Sequence, residues 1–218
     1  MGGVAESQRT MDETTLIAEA MREIRAFLDE REWDYCLVGG LAATRWGEPR
    51  LTKDIDIVLL TGFSRESEFI KPLLKAFSAR LSKAAQFALE NRILLLSSKN
   101  GVALDISLGG LPFEEEMLAR SRLTVVLPGV EFRTASPEDI VIMKSIAGRP
   151  IDVKDIEGIL SSQGEKLDCD YIRRWLTDLA QLWSETDVVG NFEQARQTVT
   201  ERMKSAPRLK RPRKKRGE

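Results

Sequence analysis

The sequence predicts an α+β protein in which a mixed β-sheet flanked by helices is followed by a helical C-terminal part. Short apolar runs at 35–38 and 55–60 have the length of buried strands. Residues 92–108 hold two further apolar runs on either side of Asn100-Gly101, a pair that favours a tight type I′ hairpin turn. After residue 136 the apolar residues recur only with helical spacing, so the chain becomes all-helical there.

The other elements follow from apolar spacing and turn residues. Pro72 lies inside one predicted helix and requires a kink or a late start. Ser136 followed by Pro137 is typical of a helix start, and Gly148 of a helix end. The predicted helices cover 12–30, 41–46, 65–81, 136–147, 152–163, 169–183 and 191–203. Two further strands are expected at 123–127 and 130–133.

This pattern divides the chain into four parts. A flexible N-terminus over 1–11 precedes a mixed α/β domain over 12–135 and a helical part over 136–203. The tail over 204–218 has low complexity, and we expect it to be disordered. It holds 8 basic residues and one acid, whereas the rest of the chain has 25 basic and 33 acidic residues, a net charge of −8.

The composition of the 218-residue chain excludes several kinds of chemistry. Histidine is absent, which excludes Ser–His–Asp and Cys–His catalysis and imidazole metal ligands. Two cysteines, Cys36 and Cys169, are too few for a disulfide framework or a four-ligand zinc site. No run approaches the ~20 apolar residues of a membrane span, and the N-terminus lacks an apolar signal core. We therefore expect a cytoplasmic protein without a membrane partner.

Asp54 and Asp56 are the sharpest local signal. At positions i and i+2 of a strand their carboxylates project from one face, while Ile55 and Ile57 point to the core. Like charges on one face repel each other, and oxygen ligands on a rigid strand suit Mg²⁺. For an isolated Asp-x-Asp, a solvated polar strand end is the commoner interpretation.

Asp105 changes that interpretation. It lies among small residues on the strand face opposite Leu104 and Ile106, and a lone acid in so apolar a strand needs a partner. If the hairpin lies beside the strand at 55–60, three carboxylates converge and can hold two metal ions around a phosphoryl displacement. Asp105 could also orient or deprotonate an attacking hydroxyl.

Five other residues are candidate phosphate ligands. Gly39 and Gly40 join a strand to a helix start, where N–H groups bind anions, or they form a turn without a ligand. Arg50 either binds phosphate or neutralises the acidic cluster, and Thr52 shares the face of the aspartate pair. Lys144 lies within the apolar arc of its helix, so it either extends past the core edge or points into a cleft.

The run from Leu37 to Ile57 resembles the active-site signature of the DNA polymerase beta superfamily of nucleotidyltransferases. That signature has Gly-Gly or Gly-Ser on a short helix, then Asp-x-Asp, then a third Asp on a later strand, and all three occur here in order. The segment from Thr134 to Ile156 is similar to the abortive-infection (AbiEii-like) type of bacterial nucleotidyltransferase, some of which are toxins of toxin–antitoxin pairs. The resemblance covers residues 12–165.

The resemblance implies a nucleotidyltransferase fold with its catalytic domain over 12–135. With the residue patterns, it gives Asp54, Asp56 and Asp105 as the catalytic and metal-binding residues. The nucleotide-binding residues are then Gly39, Gly40, Arg50, Thr52, Lys144, Asp152 and Asp155. From their positions alone, the last two are equally acids that stabilise a helix N-terminus. Gly40 departs from the family pattern, because many members have serine there and contact phosphate through its hydroxyl.

We therefore expect a nucleotidyltransferase that requires Mg²⁺ or Mn²⁺ and uses a nucleoside triphosphate such as ATP, GTP or CTP. RNA, a protein side chain and a small molecule such as an antibiotic are the candidate acceptors, and a cognate antitoxin is a candidate partner. One alternative is a catalytically inactive nucleotide-binding protein on the same fold. Another is an RNA-binding protein that acts through the tail over 204–218.

Deleting residues 204–218 is expected to leave the melting temperature nearly unchanged, because only Ala206 and Leu209 in this segment could bury apolar surface. If the tail binds RNA phosphates, the deletion also weakens RNA binding and flattens its salt dependence. Melting curves and RNA titrations at several salt concentrations measure both effects. An unchanged salt slope would contradict an RNA-binding tail.

Overall fold

The computed structural model describes residues 2–182 and 186–205, with side chains described from residue 13 onward. The strands are β1 (Tyr35–Leu37), β2 (Asp54–Leu60), β3 (Ser78–Ala79), β4 (Ile93–Ser97), β5 (Ala103–Gly109), β6 (Arg122–Leu127) and β7 (Val130–Thr134). The helices are α1 (Gly2–Asp29), α2 (Gly39–Trp46), α3 (Glu66–Ala76), α4 (Ala84–Asn91), α5 (Pro112–Arg120), α6 (Pro137–Ala147), α7 (Pro150–Gln163), α8 (Cys169–Ala180) and α9 (Val188–Ser205). The predicted tail from residue 206 onward lies outside the described residues.

The strands form one mixed sheet in the order β3-β4-β5-β2-β1-β7-β6. At its centre β2 runs parallel to β5, with Asp56 opposite Asp105. β1 is antiparallel to β2 and parallel to β7, whereas β4 and β5 form the predicted antiparallel hairpin. The prediction of a mixed sheet flanked by helices and followed by a helical part is confirmed.

Side-chain alternation along β2 and β5 separates the core from the polar face. Ile55 and Ile57 of β2 are fully buried, as are Leu104 and Ile106 of β5. The residues between them project to the opposite face, because successive side chains of a strand alternate. The apolar residues therefore fix the register that places the aspartates side by side.

The C-terminal helices pack against one another, and α6 and α7 also pack against α2, which links them to the sheet. α6 begins and ends as predicted: the Ser136 hydroxyl accepts the N–H of Asp139 at 3.2 Å, and Gly148 has a φ of +61°. In α9 the side chain of Phe192 is fully buried. No helix of the described residues is long and apolar enough to cross a membrane.

Several element boundaries differ from the prediction. α1 begins at Gly2 rather than at residue 12. α3 ends at Ala76 rather than at residue 81, because Phe77 turns into the core and packs edge-on against Phe27 at 5.2 Å between ring centroids. Sequence reasoning did not find three elements, namely β3, α4 and α5.

The hairpin turn between β4 and β5 is longer than the predicted two-residue type I′ turn. Such a turn needs positive φ at both central residues, but within the described residues Gly101 has a φ of +85° and Asn100 is not among those with positive φ. The N–H of Gly101 donates to the Ser98 carbonyl at 3.0 Å, and the N–H of Ser98 donates to the Val102 carbonyl at 2.9 Å. The loop therefore ends in a left-handed glycine.

Phe192→Ala is expected to lower the free energy of unfolding by roughly 3–5 kcal/mol, because it leaves a cavity where α9 packs. Leu182→Ala is the matched control, since that side chain is 62% exposed and should change the stability by less than about 0.5 kcal/mol. Denaturant unfolding of the three proteins measures both values. A loss for Phe192→Ala no larger than that for the control would contradict the packing of α9.

Candidate active site

Eight of the ten predicted site residues line one cavity of about 450 Å³. It lies where β1 leads into α2, beside the first residues of β2 and β5. The predicted residues that line it are Gly39, Gly40, Arg50, Thr52, Asp54, Asp56, Asp105 and Lys144. Leu51, Lys53, Arg149 and Ile151 complete the lining. Asp152 and Asp155 are not part of this lining but bind Lys144 from behind.

The turn from β1 into α2 packs directly on the Asp56 carboxylate. The N–H of Val38 donates to the Asp56 carbonyl at 2.9 Å, and the N–H of Gly40 donates to Asp56 Oδ2 at 3.3 Å. Gly39 has a φ of +63°, and a Cβ there would lie 1.9 Å from Asp56 Oδ2. Only glycine satisfies both conditions, so this residue is fixed by its backbone and by its contact with the carboxylate.

Gly40 is restricted by a different neighbour. A Cβ at this position would lie 2.6 Å from Thr52 Oγ1 and 3.1 Å from a guanidinium nitrogen of Arg50. A serine at this position would therefore collide with Thr52. The Thr52 hydroxyl occupies the space beside α2 that a side chain at residue 40 would fill.

The two central aspartates are electrostatically strained. Burial raises the pKa of Asp56, and the charges of Asp105 and Asp54 raise it further, while the Gly40 N–H and Lys144 act in the opposite direction. Burial also raises the pKa of Asp105, with an added contribution from Asp54, although the Arg80 guanidinium opposes both. A nearby cation would stabilise both ionised carboxylates.

The chemistry of this donor set fits a divalent cation. Three carboxylates on two adjacent strands supply the oxygen ligands that Mg²⁺ prefers. In the part of the chain that the structure describes, no three acidic or cysteine side chains already surround a common point that could hold an ion. Asp56 is instead turned to the Gly40 N–H and Asp105 to Arg80. Binding an ion would therefore require these side chains to turn.

Lys144 is the centre of a buried ion cluster behind the cavity. Its Nζ lies 2.7 Å from Asp152 Oδ1 and 2.9 Å from Asp155 Oδ2, and all three side chains are at most 7% exposed. Arg50 donates to both oxygens of Asp155, at 2.7 and 2.9 Å, and Arg149 donates to both oxygens of Asp152, at 2.6 and 3.1 Å. Three cations thus surround two carboxylates.

This cluster keeps both carboxylates ionised. Burial acts to raise the pKa of Asp152, but hydrogen bonds from Arg149 and Lys144 lower it overall. The pKa of Asp155 is lowered in the same way, with Arg50 in the place of Arg149. The three cations exceed the two carboxylates by one positive charge, and Arg50, Arg149 and Lys144 also line the cavity.

Sequence reasoning missed two arginines of the site. Arg149 had a local signal, because it precedes a helix start and stands three residues before Asp152, with which it forms an ion pair. Arg80 had none, since its partner Asp105 lies on a distant strand. Only the order of strands β3, β4 and β5 brings the two together.

Solved structures with similar folds include several nucleotidyltransferases. The solution structure of the antibiotic-resistance factor ANT(2'')-Ia is 17% identical over 89% of this chain and 95% of that chain, with a TM-score of 0.45. The lincomycin-bound lincosamide antibiotic adenylyltransferase LnuA is 15% identical over 65% and 94%, with a TM-score of 0.46. An antigenic nucleotidyltransferase-like protein from Paracoccidioides brasiliensis is 16% identical over 83% and 92%, with a TM-score of 0.45.

No curated protein matches the chain. The profile of one family, described as "Nucleotidyltransferase of unknown function (DUF6036)", matches residues 15–204. This match includes every residue of the cavity and of the ion cluster behind it. The chain therefore belongs to this family of nucleotidyltransferases.

Proposed function

We propose that this protein transfers a nucleotide from a nucleoside triphosphate to an acceptor hydroxyl in a reaction that depends on Mg²⁺ or Mn²⁺. One observation carries the proposal: the parallel pairing of β2 and β5 sets Asp56 directly beside Asp105, with Asp54 on the same face. These carboxylates share a cavity with the N-terminus of α2 and with four cationic side chains, Arg50, Lys53, Lys144 and Arg149. Such a cavity offers separate places for metal and for phosphate.

The triphosphate is bound by the positive side of the cavity. The start of α2 lines the cavity, where a helix N-terminus favours an anion, and Thr52 supplies a hydroxyl beside Gly40. Arg50 and Arg149 are pre-oriented by their two-point hydrogen bonds to the aspartates of the ion cluster. Lys144 lines the cavity but holds these aspartates, so its main role is to position the two arginines.

The aspartates act on the opposite side of the reacting phosphorus. Asp54, Asp56 and Asp105 would hold the divalent ions, which neutralise charge on the phosphates when bound. Asp105 also orients the acceptor hydroxyl or takes its proton. The acceptor oxygen bonds to the α-phosphorus while the bond from that phosphorus to the pyrophosphate oxygen breaks.

We also propose candidates for the acceptor, the nucleotide and the biological role. RNA, a protein side chain and a small molecule are the candidate acceptors, and ATP, GTP or CTP the candidate donors. A role as a toxin of the abortive-infection type would imply an antitoxin partner. Incubating the protein with each α-labelled triphosphate, Mg²⁺ or Mn²⁺, and total RNA or cell lysate tests transfer directly, since the acceptor becomes labelled.

Asp56→Asn is expected to abolish transfer, because an amide is a much poorer Mg²⁺ ligand than a carboxylate. The same change should raise the stability of the metal-free protein by ~1 kcal/mol, since it removes a charge that Asp54 and Asp105 repel. Mg²⁺ with triphosphate should then stabilise the wild type far more than the variant. Melting curves beside the transfer assay measure all three effects.

The stability gain of Asp56→Asn should depend on pH in a defined direction. Because the pKa of Asp56 is raised in the folded protein, ionising this group disfavours folding once the pH passes the ordinary aspartate range. The gain should therefore be absent below that range and reach its full size above the raised pKa. A variant that melts several degrees lower without metal and still transfers nucleotide would refute the mechanism.

Gly39→Ala is expected to abolish transfer, because its Cβ would displace the Asp56 carboxylate. Gly62→Ala is the matched control, since Gly62 has a similar φ of +67° but a Cβ there would enter open space, with no neighbouring atom within 4 Å. Both variants should lose about 1 kcal/mol of stability to the left-handed backbone, and only Gly39→Ala should lose activity. Equal activity of the two variants would contradict the close packing of α2 on Asp56.

A further inference from the structure

We propose that Arg80 is an internal counter-cation of the metal site, which holds Asp105 in the metal-free protein and leaves it when the divalent ion binds. The inference rests on the proposed metal-dependent function. It assigns to Arg80 a role in metal loading that neither the family match nor the sequence pattern indicates. The observation behind it is the ion pair between the Arg80 guanidinium and Asp105 Oδ1.

Arg80 is anchored at the edge of the sheet and reaches inward. Its backbone N–H donates to the Leu95 carbonyl at 3.0 Å, and Leu95 is the register partner of Asp105. Asp105 is in turn the register partner of Asp56. Strands β4, β5 and β2 therefore align Leu95, Asp105 and Asp56 in one row across the sheet. Arg80 lies at the outer end of this row, beside β4.

The same alignment makes Arg80 and a metal ion competitors. Asp105 can give its oxygens either to the Arg80 guanidinium or to a divalent ion held by the carboxylates of β2 and β5. The bound ion would also repel the guanidinium, because both are positively charged. The Arg80 side chain is 33% exposed, so it can turn into solvent without moving its hydrogen-bonded backbone. The ion pair thus stabilises the carboxylate cluster until the metal replaces it.

The test is Mn²⁺ binding, measured by the electron paramagnetic resonance of free Mn²⁺ in the absence of nucleotide. The full-length wild type is compared with Arg80→Gln and with Arg65→Gln, a matched control whose exposed ion pair with Glu68 lies on α3. All three proteins are titrated at the same pH and ionic strength. Arg80→Gln should bind Mn²⁺ about tenfold more tightly, and Arg65→Gln like the wild type.

A second measurement follows Arg80 itself and does not depend on the stability of the glutamine variant. The Nε–H signal of Arg80 in nuclear magnetic resonance spectra is assigned by its loss in Arg80→Lys, and it should shift when Mg²⁺ saturates the protein. Unchanged or weaker Mn²⁺ binding by Arg80→Gln, or an Arg80 signal that Mg²⁺ does not move, overturns the counter-cation role.

Asp56→Asn separates this proposal from the proposed function. If Mn²⁺ binding is lost in Asp56→Asn but Arg80→Gln binds no more tightly than the wild type, the metal site stands and the role of Arg80 fails. If Asp56→Asn binds Mn²⁺ as the wild type does, the metal site between β2 and β5 fails, and the counter-cation role fails with it.

Discussion

The repulsion between carboxylates on two adjacent strands is the constraint on which the rest of the site depends. Burial of the apolar faces of β2 and β5 fixes the register of the two strands. This register sets Asp56 opposite Asp105 although their charges repel each other. In the structure, two different cationic or polar groups relieve this repulsion. The N-terminus of α2 faces Asp56, and Arg80 faces Asp105. One peptide N–H and one guanidinium therefore hold the two central carboxylates.

In the ion cluster behind the cavity, by contrast, cationic side chains of the protein itself balance both carboxylates. Asp152 and Asp155 are buried and ionised, so each needs more than one donor, and Lys144 bridges the two. The hydrogen bonds of Arg50 and Arg149 satisfy the remaining oxygens of these aspartates. Since Arg50 precedes β2 and Arg149 precedes α7, the cluster also ties the helical part to the sheet. The geometry of this side of the cavity thus depends on the packing of two parts of the chain.

The sequence predicted the site best where local alternation and backbone geometry decide the structure. Asp54 and Asp56 share a strand face by period alone, and the hairpin pattern gave the face of Asp105. The prediction that the three aspartates converge assumed that β5 lies beside β2. The sequence pattern did not establish this pairing, because strand order is a long-range property. For the same reason Arg80 went unnoticed, and Lys144 was interpreted as a phosphate ligand although its nearest partners are two aspartates from the next helix. α5 was missed although Pro112 and Glu114 mark its start, with the Glu114 carboxylate accepting the N–H of Leu111 at 2.8 Å.

Gly40 shows why a departure from a family pattern has to be judged in three dimensions. By sequence alone, glycine in the place of serine removes a hydroxyl from the turn between β1 and α2. In the structure, a Cβ at residue 40 would meet Thr52 Oγ1 at 2.6 Å, so a side chain at residue 40 and the hydroxyl of Thr52 exclude each other. Thr52 lines the same cavity and precedes the strand that carries Asp54 and Asp56. Thr52 therefore places a hydroxyl beside the start of α2. Because Gly40 has no side chain, this hydroxyl has the space that it occupies.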